Sequence, residues 1–174
     1  RLKNYRTALP KQLAAGLSQS VVKFYNIINS HDPDFEKLSY FALPSTPGEK
    51  ISVKFVGENR VKDALHVLSE GHIKVLGLSI LLAKVVQSDL RFIIFDDIVN
   101  AIDDDHRSGI ADLLLTCEEL RDRQQIITCH GEQFLNKLEH RLGVSTASRE
   151  VTRYRFYPTE SAIERGVKLS IGDT

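Results

Sequence analysis

One short run constrains this chain most. Phe92-Ile93-Ile94-Phe95 passes without a polar break into Asp96-Asp97. An apolar run without alternation suits a strand in the middle of a parallel sheet, covered on both faces. Before it, residues 71–87 are apolar on nearly all sides, which predicts a helix buried by its neighbours. After it, residues 105–121 return to helical spacing through Ile110, Leu113, Leu114 and Leu120. Gln125 to Cys129 is a second apolar strand, and Gly131 to Leu142 a further helix with Phe134, Leu135 and Leu138 inward. Strand and helix alternate, so the expected fold class is α/β: a parallel-sheet core flanked by helices, joined by right-handed crossovers. Functional groups on such sheets gather at the C-terminal strand ends. Asp96, Asp97 and His130 occupy those ends.

The flanks are simpler. Leu9, Leu13, Leu17, Val21, Phe24 and Ile28 recur at spacings of four, four, four, three and four, one helical stripe. Residues 1–30 carry Arg1, Lys3, Arg6, Lys11 and Lys23 and no acid. They read as a basic amphipathic helix, packed on a core or forming the root of a coiled coil; a stripe this short does not decide between these. Residues 31–174 form the rest of the domain. Pro33, Pro44, Pro47 and Gly48 mark a loop over 30–50, with a short strand at Leu38–Leu43. Ile51 to Val56 alternates as a strand with one wet face. Val151 to Tyr157 and Gly166 to Ile171 suggest a final pair of strands.

Composition excludes more than it selects. Basic and acidic residues number 23 each, so bulk charge names no partner. Lys74 and Lys84 interrupt the longest apolar run, which rules out a helical membrane span there. The two cysteines, Cys117 and Cys129, are too few for a disulfide scaffold and fit a reducing cytoplasm. No Cys or His pairs stand at zinc spacing, so Cys129 is not assigned a metal. The chain starts at Arg1 and contains no methionine, and we expect a piece of a longer polypeptide.

Two clusters carry chemistry. Asp96 and Asp97 deliver carboxylates to one point on a rigid frame. A hard cation such as Mg2+ takes one or two carboxylates together with phosphate and water, and a neighbouring acid can orient a water for attack on phosphorus. The dipeptide alone fits a solvated strand-end turn equally well. The second cluster is Leu68-Ser69-Glu70-Gly71-His72. Ser69 stands where a helix N-cap would, and the free N–H groups of a helix N-terminus bind anions, phosphate above all. A plainly capped helix explains the same residues.

Order and spacing together add a resemblance. Residues 60–135 resemble the C-terminal half of ATP-binding-cassette ATPase heads, particularly the SMC, RecN and RecF group with coiled-coil arms. Leu68 to His72 is similar to that family's Leu-Ser-Gly-Gly-Gln signature, with Glu70 for a glycine and His72 for the glutamine. Phe92–Asp96 resembles its Walker B strand, and Ile102-Asp103 its D-loop. The resemblance implies ATP and Mg2+ as cofactors, with Asp96 at the metal, Asp97 and His130 catalytic, and Ser69, Glu70, Gly71, His72 and Asp103 at the nucleotide. Asp97 stands where the family has glutamate. It is one methylene shorter, and a water displaced by about an ångström can cost about 100-fold in rate.

The phosphate-cradling Gly-x-x-x-x-Gly-Lys-Ser/Thr loop is not in these residues. In the family it lies in an N-terminal lobe, so the resemblance implies that the Walker A lobe of the same polypeptide is a partner and that this chain alone does not hydrolyse ATP. A second head, in a homodimer, and DNA are the other implied partners, with no membrane. DNA repair, chromosome organisation and defence against phage all use such heads. A transporter's nucleotide-binding domain shares the motifs but would show a glutamine loop and helical subdomain before the signature. A metal-dependent nuclease would leave Ser69, Gly71 and His130 unexplained. A slow or non-hydrolysing ATP switch stays open because of Asp97.

Overall fold

The computed structural model describes residues 16–46, 48–88, 90–99, 102–130, 132–145, 154–158 and 167–171. The chain divides into two units, Arg1–Leu142 and Gly143–Thr174.

In the first unit, residues 16–28 are helical (α1) and run into a 3-10 turn at Asn29–His31. Leu17, Val21, Phe24 and Ile28 of the predicted stripe are buried, so the stripe packs into the domain core. Leu9 and Leu13 lie outside the described residues. Strands β1 (Leu38–Ala42), β2 (Ser52–Phe55) and β3 (Lys62–Asp63) form an antiparallel sheet in that order. A short helix α2 (Ala64–Val67) leads to α3 (Glu70–Val86). Strand β4 (Phe92–Asp96) pairs in parallel with β5 (Gln124–Thr128), as the apolar runs predict. Between them lie α4 (Asp104–Thr116) and α5 (Glu118–Arg121), and α6 (Glu132–Ser145) follows β5. In the second unit β6 (Tyr154–Pro158) and β7 (Val167–Ile171) pair antiparallel.

Three expectations need correction. Residues 105–121 are two helices, because Cys117 is extended (φ −72°, ψ 115°) and serves as the N-cap position of α5. Helix α3 is buried on one side only, through Val75, Leu76, Ser79, Leu82 and Ala83, while Leu81 is exposed. Strand β4 is likewise covered on one face: Ile93 and Phe95 are buried, but Phe92 is 51% and Ile94 59% exposed. Ile126 beside them on β5 is 45% exposed. The run is apolar on both faces, yet the described residues cover only one.

The layers lock at two places. The guanidinium of Arg123 spends all five of its N–H donors on carbonyls. Nη1 donates to Val85 and Leu90 (3.1 and 2.5 Å), Nη2 to Val86 and Ser88 (3.0 Å each), and Nε to Glu119 (3.0 Å). The C-terminal end of α3, whose last carbonyls have no helical partner, is thereby tied to the start of β5. The second lock is Gly109 on α4. A Cβ there would stand 1.9 Å from the Ile28 carbonyl oxygen. Glycine lets α4 press against the end of α1, and backbone cannot yield as a side chain does. Gly109→Ala should therefore destabilise the chain by about 1–3 kcal/mol, read as a lowered urea midpoint. An unchanged midpoint would refute the close approach.

Lys23 on α1 reaches α5, donating to both oxygens of Glu119 at 2.6 and 2.8 Å, while Cys117 Sγ donates to the same carboxylate at 2.9 Å. The Cys117 and Lys23 hydrogen bonds hold the Glu119 carboxyl down at about 2, against 4.5 when free. Burial, helped by Glu119, pushes the Cys117 thiol up to about 11. A depressed carboxyl pKa stabilises the fold above the unfolded value and stops doing so as pH falls through it. The Glu119 side chain is 39% exposed, so the pair is worth less than about 1 kcal/mol. Urea midpoints of Glu119→Gln and the parent should differ most above pH 4.5 and converge as pH drops toward 2.

Candidate functional site

Two groups of side chains emerge, one at the strand ends and one where the N-termini of α3 and α4 meet.

The strand-end group rests on the register of the parallel pair, which sets Asp96 opposite Thr128. Thr128 Oγ1 donates to Asp96 Oδ1 at 2.5 Å, fixing the carboxylate at the exposed end of β4. Thr128 is a site residue that the motif reading passes over, although it stands only two positions before His130. The Asp97 N–H donates to the Thr128 carbonyl at 3.0 Å, extending the ladder one residue beyond the strand. Asp97 then turns to φ 50°, a left-handed conformation. Aspartate tolerates this region better than most side chains, because its short polar group can bond locally. It does so here: His130 N–H donates to Asp97 Oδ1 at 3.4 Å, and His130 Nε2 lies 3.9 Å from Oδ2. Asp96, Asp97 and His130 therefore share one sheet edge. Asp96 and Thr128 offer hard oxygen atoms, the donor type that suits Mg2+.

The other group contains Ser69, Gly71, His72 and Asp103. Ser69 caps α3, its Oγ accepting the His72 N–H at 3.2 Å and lying 2.9 Å from His72 Nδ1. Glu70 is exposed and pairs with Lys74 at 2.9 Å, which holds its carboxyl below the usual range. A Cβ at Gly71 would meet Asp103 Oδ2 at 3.2 Å, a tight contact that brings the first turn of α3 against the N-cap of α4. Asp103 caps α4 by accepting the His106 N–H at 3.2 Å, and its Oδ1 also bonds the His106 ring at Nδ1. Burial alone would raise the Asp103 carboxyl; the hydrogen bonds from His106 and the charges of His106 and His72 outweigh it and lower it. Among the described residues, no hydrogen bond joins Ser69 to Asp96.

The left-handed turn at Asp97 gives a stability test. Asp97→Gly should keep stability within about 1 kcal/mol of the parent, because glycine takes φ 50° without strain. Asp97→Val should lose about 1–3 kcal/mol. Equal melting of both variants would mean that the conformation is not enforced.

No protein-family model matches the chain. Solved structures of SMC heads do share its architecture. A head from work on ATP-driven dimerization and DNA-stimulated activation of SMC ATPases superposes with a TM-score of 0.68 at 15% identity, over 95% of this chain and 88% of that one. The SMC head domain from Thermotoga maritima gives 0.60 at 16% identity, over 91% and 48%. The Pyrococcus furiosus Smc head with an extended coiled coil, bound to the C-terminal domain of ScpA, gives 0.57 at 16% identity, over 90% and 34%. This chain thus spans less than half of those two longer heads. Among the described residues no helix is long and apolar enough to cross a membrane. With its parallel β4–β5 pair between flanking helices, the chain has the fold of an SMC-type ATPase head.

Proposed function

We propose that this chain is the C-terminal lobe of an ATPase head that works in pairs, binding and hydrolysing ATP between two heads to drive the handling of DNA. The observation that carries the reading is the strand-end group: Asp96 held by Thr128, and Asp97 facing His130 across the parallel pair. In this reading Mg2+ with ATP supplies the phosphoryl chemistry. Asp96 would hold the cation, Asp97 would orient the attacking water and accept its proton, and His130 would donate to a phosphate oxygen. Ser69, Glu70, Gly71 and His72 with Asp103 would meet the nucleotide of the second head.

The exposed Phe92, Ile94 and Ile126 support a Walker A lobe of the same polypeptide as the first partner. An apolar sheet face of that kind is what another layer of the same domain would cover. The second head and DNA rest on the fold likeness, with the basic residues before Lys23 as further support for DNA. Cytoplasmic location follows from the same reading. One observation favours a slow switch as the alternative: Asp97 is both shorter than glutamate and held in a left-handed turn.

The test uses the polypeptide carrying both lobes. Asp97→Asn keeps shape but removes the base, so ATP binding should survive while hydrolysis falls by about 100-fold or more. Paired heads should then accumulate in ATP. Asp96→Asn should lose productive nucleotide binding and pairing together. Ser69→Arg should bind nucleotide in each head yet fail to pair. Nucleotide affinity, turnover and dimer fraction separate the three. Wild-type turnover in Asp97→Asn would remove Asp97 from the role of base and leave the switch as the better reading.

A further inference from the structure

We infer that Asp32, His72 and His106 form a binding site for a divalent transition-metal ion, Zn2+ being the best match. The three come from the end of the 3-10 turn, the first turn of α3 and the first turn of α4. One ligand atom from each lies within 4.8 Å of the other two. None of the three belongs to the strand-end group; His72 alone is also assigned above to the second head's nucleotide.

The orientation of each ligand sets this cluster apart from a chance meeting of polar groups. Every one is held through its other polar atom. Asp32 Oδ1 accepts the Asp34 N–H at 2.9 Å, leaving Oδ2 toward His72. His72 Nδ1 is engaged by Ser69 Oγ, and His106 Nδ1 by Asp103 Oδ1. Both rings therefore present Nε2 to the cluster, and they meet edge to face with centroids 5.3 Å apart. Both Nε2 atoms are buried, and among the described residues neither has a hydrogen-bond partner. His72 Nε2 stands 3.2 Å from Asp32 Oδ2, but at a geometry that makes no hydrogen bond. Buried polar atoms without partners are rare and costly. Two of them converging beside a carboxylate ask for a cation.

The chemistry fits. Three protein ligands of the His and carboxylate type, with a fourth position for water, make a common Zn2+ arrangement. A carboxylate on the far nitrogen of a ligating histidine, as Asp103 is on His106, fixes tautomer and ring orientation and raises ligand basicity. At bonds of about 2.0–2.1 Å, tetrahedral ligand atoms stand about 3.4 Å apart. The 3.2 Å between His72 and Asp32 already matches, and all three ligand atoms lie within 4.8 Å of one another. A bound ion would join three segments at the loops carrying Ser69 and Asp103.

The test needs no nucleotide, so its outcome is independent of the ATPase reading. The 174-residue chain, prepared without a polyhistidine tag and stripped with chelator, is titrated with Zn2+ and with Co2+ as a spectroscopic probe. One ion per chain should bind at micromolar affinity or tighter, raise the melting temperature, and give a visible cobalt spectrum without thiolate charge transfer. His72→Gln and Asp32→Asn should each weaken binding by at least about tenfold, and Asp103→Asn by about 10–100-fold. His66→Gln, at an exposed position outside the cluster, should change nothing. His106 is itself buried, so a variant there tests folding as much as binding; circular dichroism confirms folding of the other variants. Absence of stoichiometric uptake, a thiolate signature, or affinity unchanged in folded His72→Gln and Asp32→Asn would each overturn the site.

Discussion

Helix α3 is held at both ends, and the placement of Ser69, Gly71 and His72 depends on it. At its C-terminus the Arg123 fork collects four carbonyls from Val85 to Leu90. At its N-terminus Ser69 caps the helix while Gly71 admits Asp103. Seventeen residues of helix span about 25 Å. Fixing both ends makes that length a rigid spacer between the loop at Ser69 and the turn that enters β4. A charge-assisted fork of five donors is stiffer than a lysine contact, because guanidinium geometry is planar and preset. The site geometry is thus inherited from a helix clamped at its C-terminus by Arg123, a residue outside the site, and at its N-terminus by the site residues Ser69 and Asp103 themselves.

Asp103 shows how one residue can serve structure and site together. It caps α4, holds the His106 ring and lies against Gly71. Any movement of Asp103 would disturb a helix cap and a buried histidine at once. Such coupling is physical, through contacts. Asp103 cannot shift without consequence at the N-terminus of α3.

Much of this was legible in the sequence. Phe92–Phe95 and Gln125–Cys129 lack alternation, and they pair in parallel. The strand-end position of Asp96 and Asp97 follows directly. Thr128 could have been found by counting register back from His130. Other features were hidden for definite reasons. The exposure of Phe92 and Ile94 depends on which layers accompany the sheet, and an apolar strand looks the same covered or bare. The break at Cys117 is a local backbone choice inside an uninterrupted helical spacing. Asp32, His72 and His106 share no spacing rule, because three separate segments bring them together.

The left-handed turn at Asp97 ties these threads to chemistry. Asp96 ends the strand with its side chain bonded across to β5, so the chain must turn at the next residue. That turn costs backbone strain, and strain of this kind persists only when its surroundings enforce it. Here the enforcement comes from the Thr128 carbonyl and the His130 N–H, both on the neighbouring strand end. A short acid suits this place, since its carboxylate stays close to the main chain and can accept that N–H. A longer acid would reach further into solvent but give up the anchor. Whatever reach toward a substrate is lost by having aspartate at 97 is set against a carboxylate whose position is fixed before any ligand arrives.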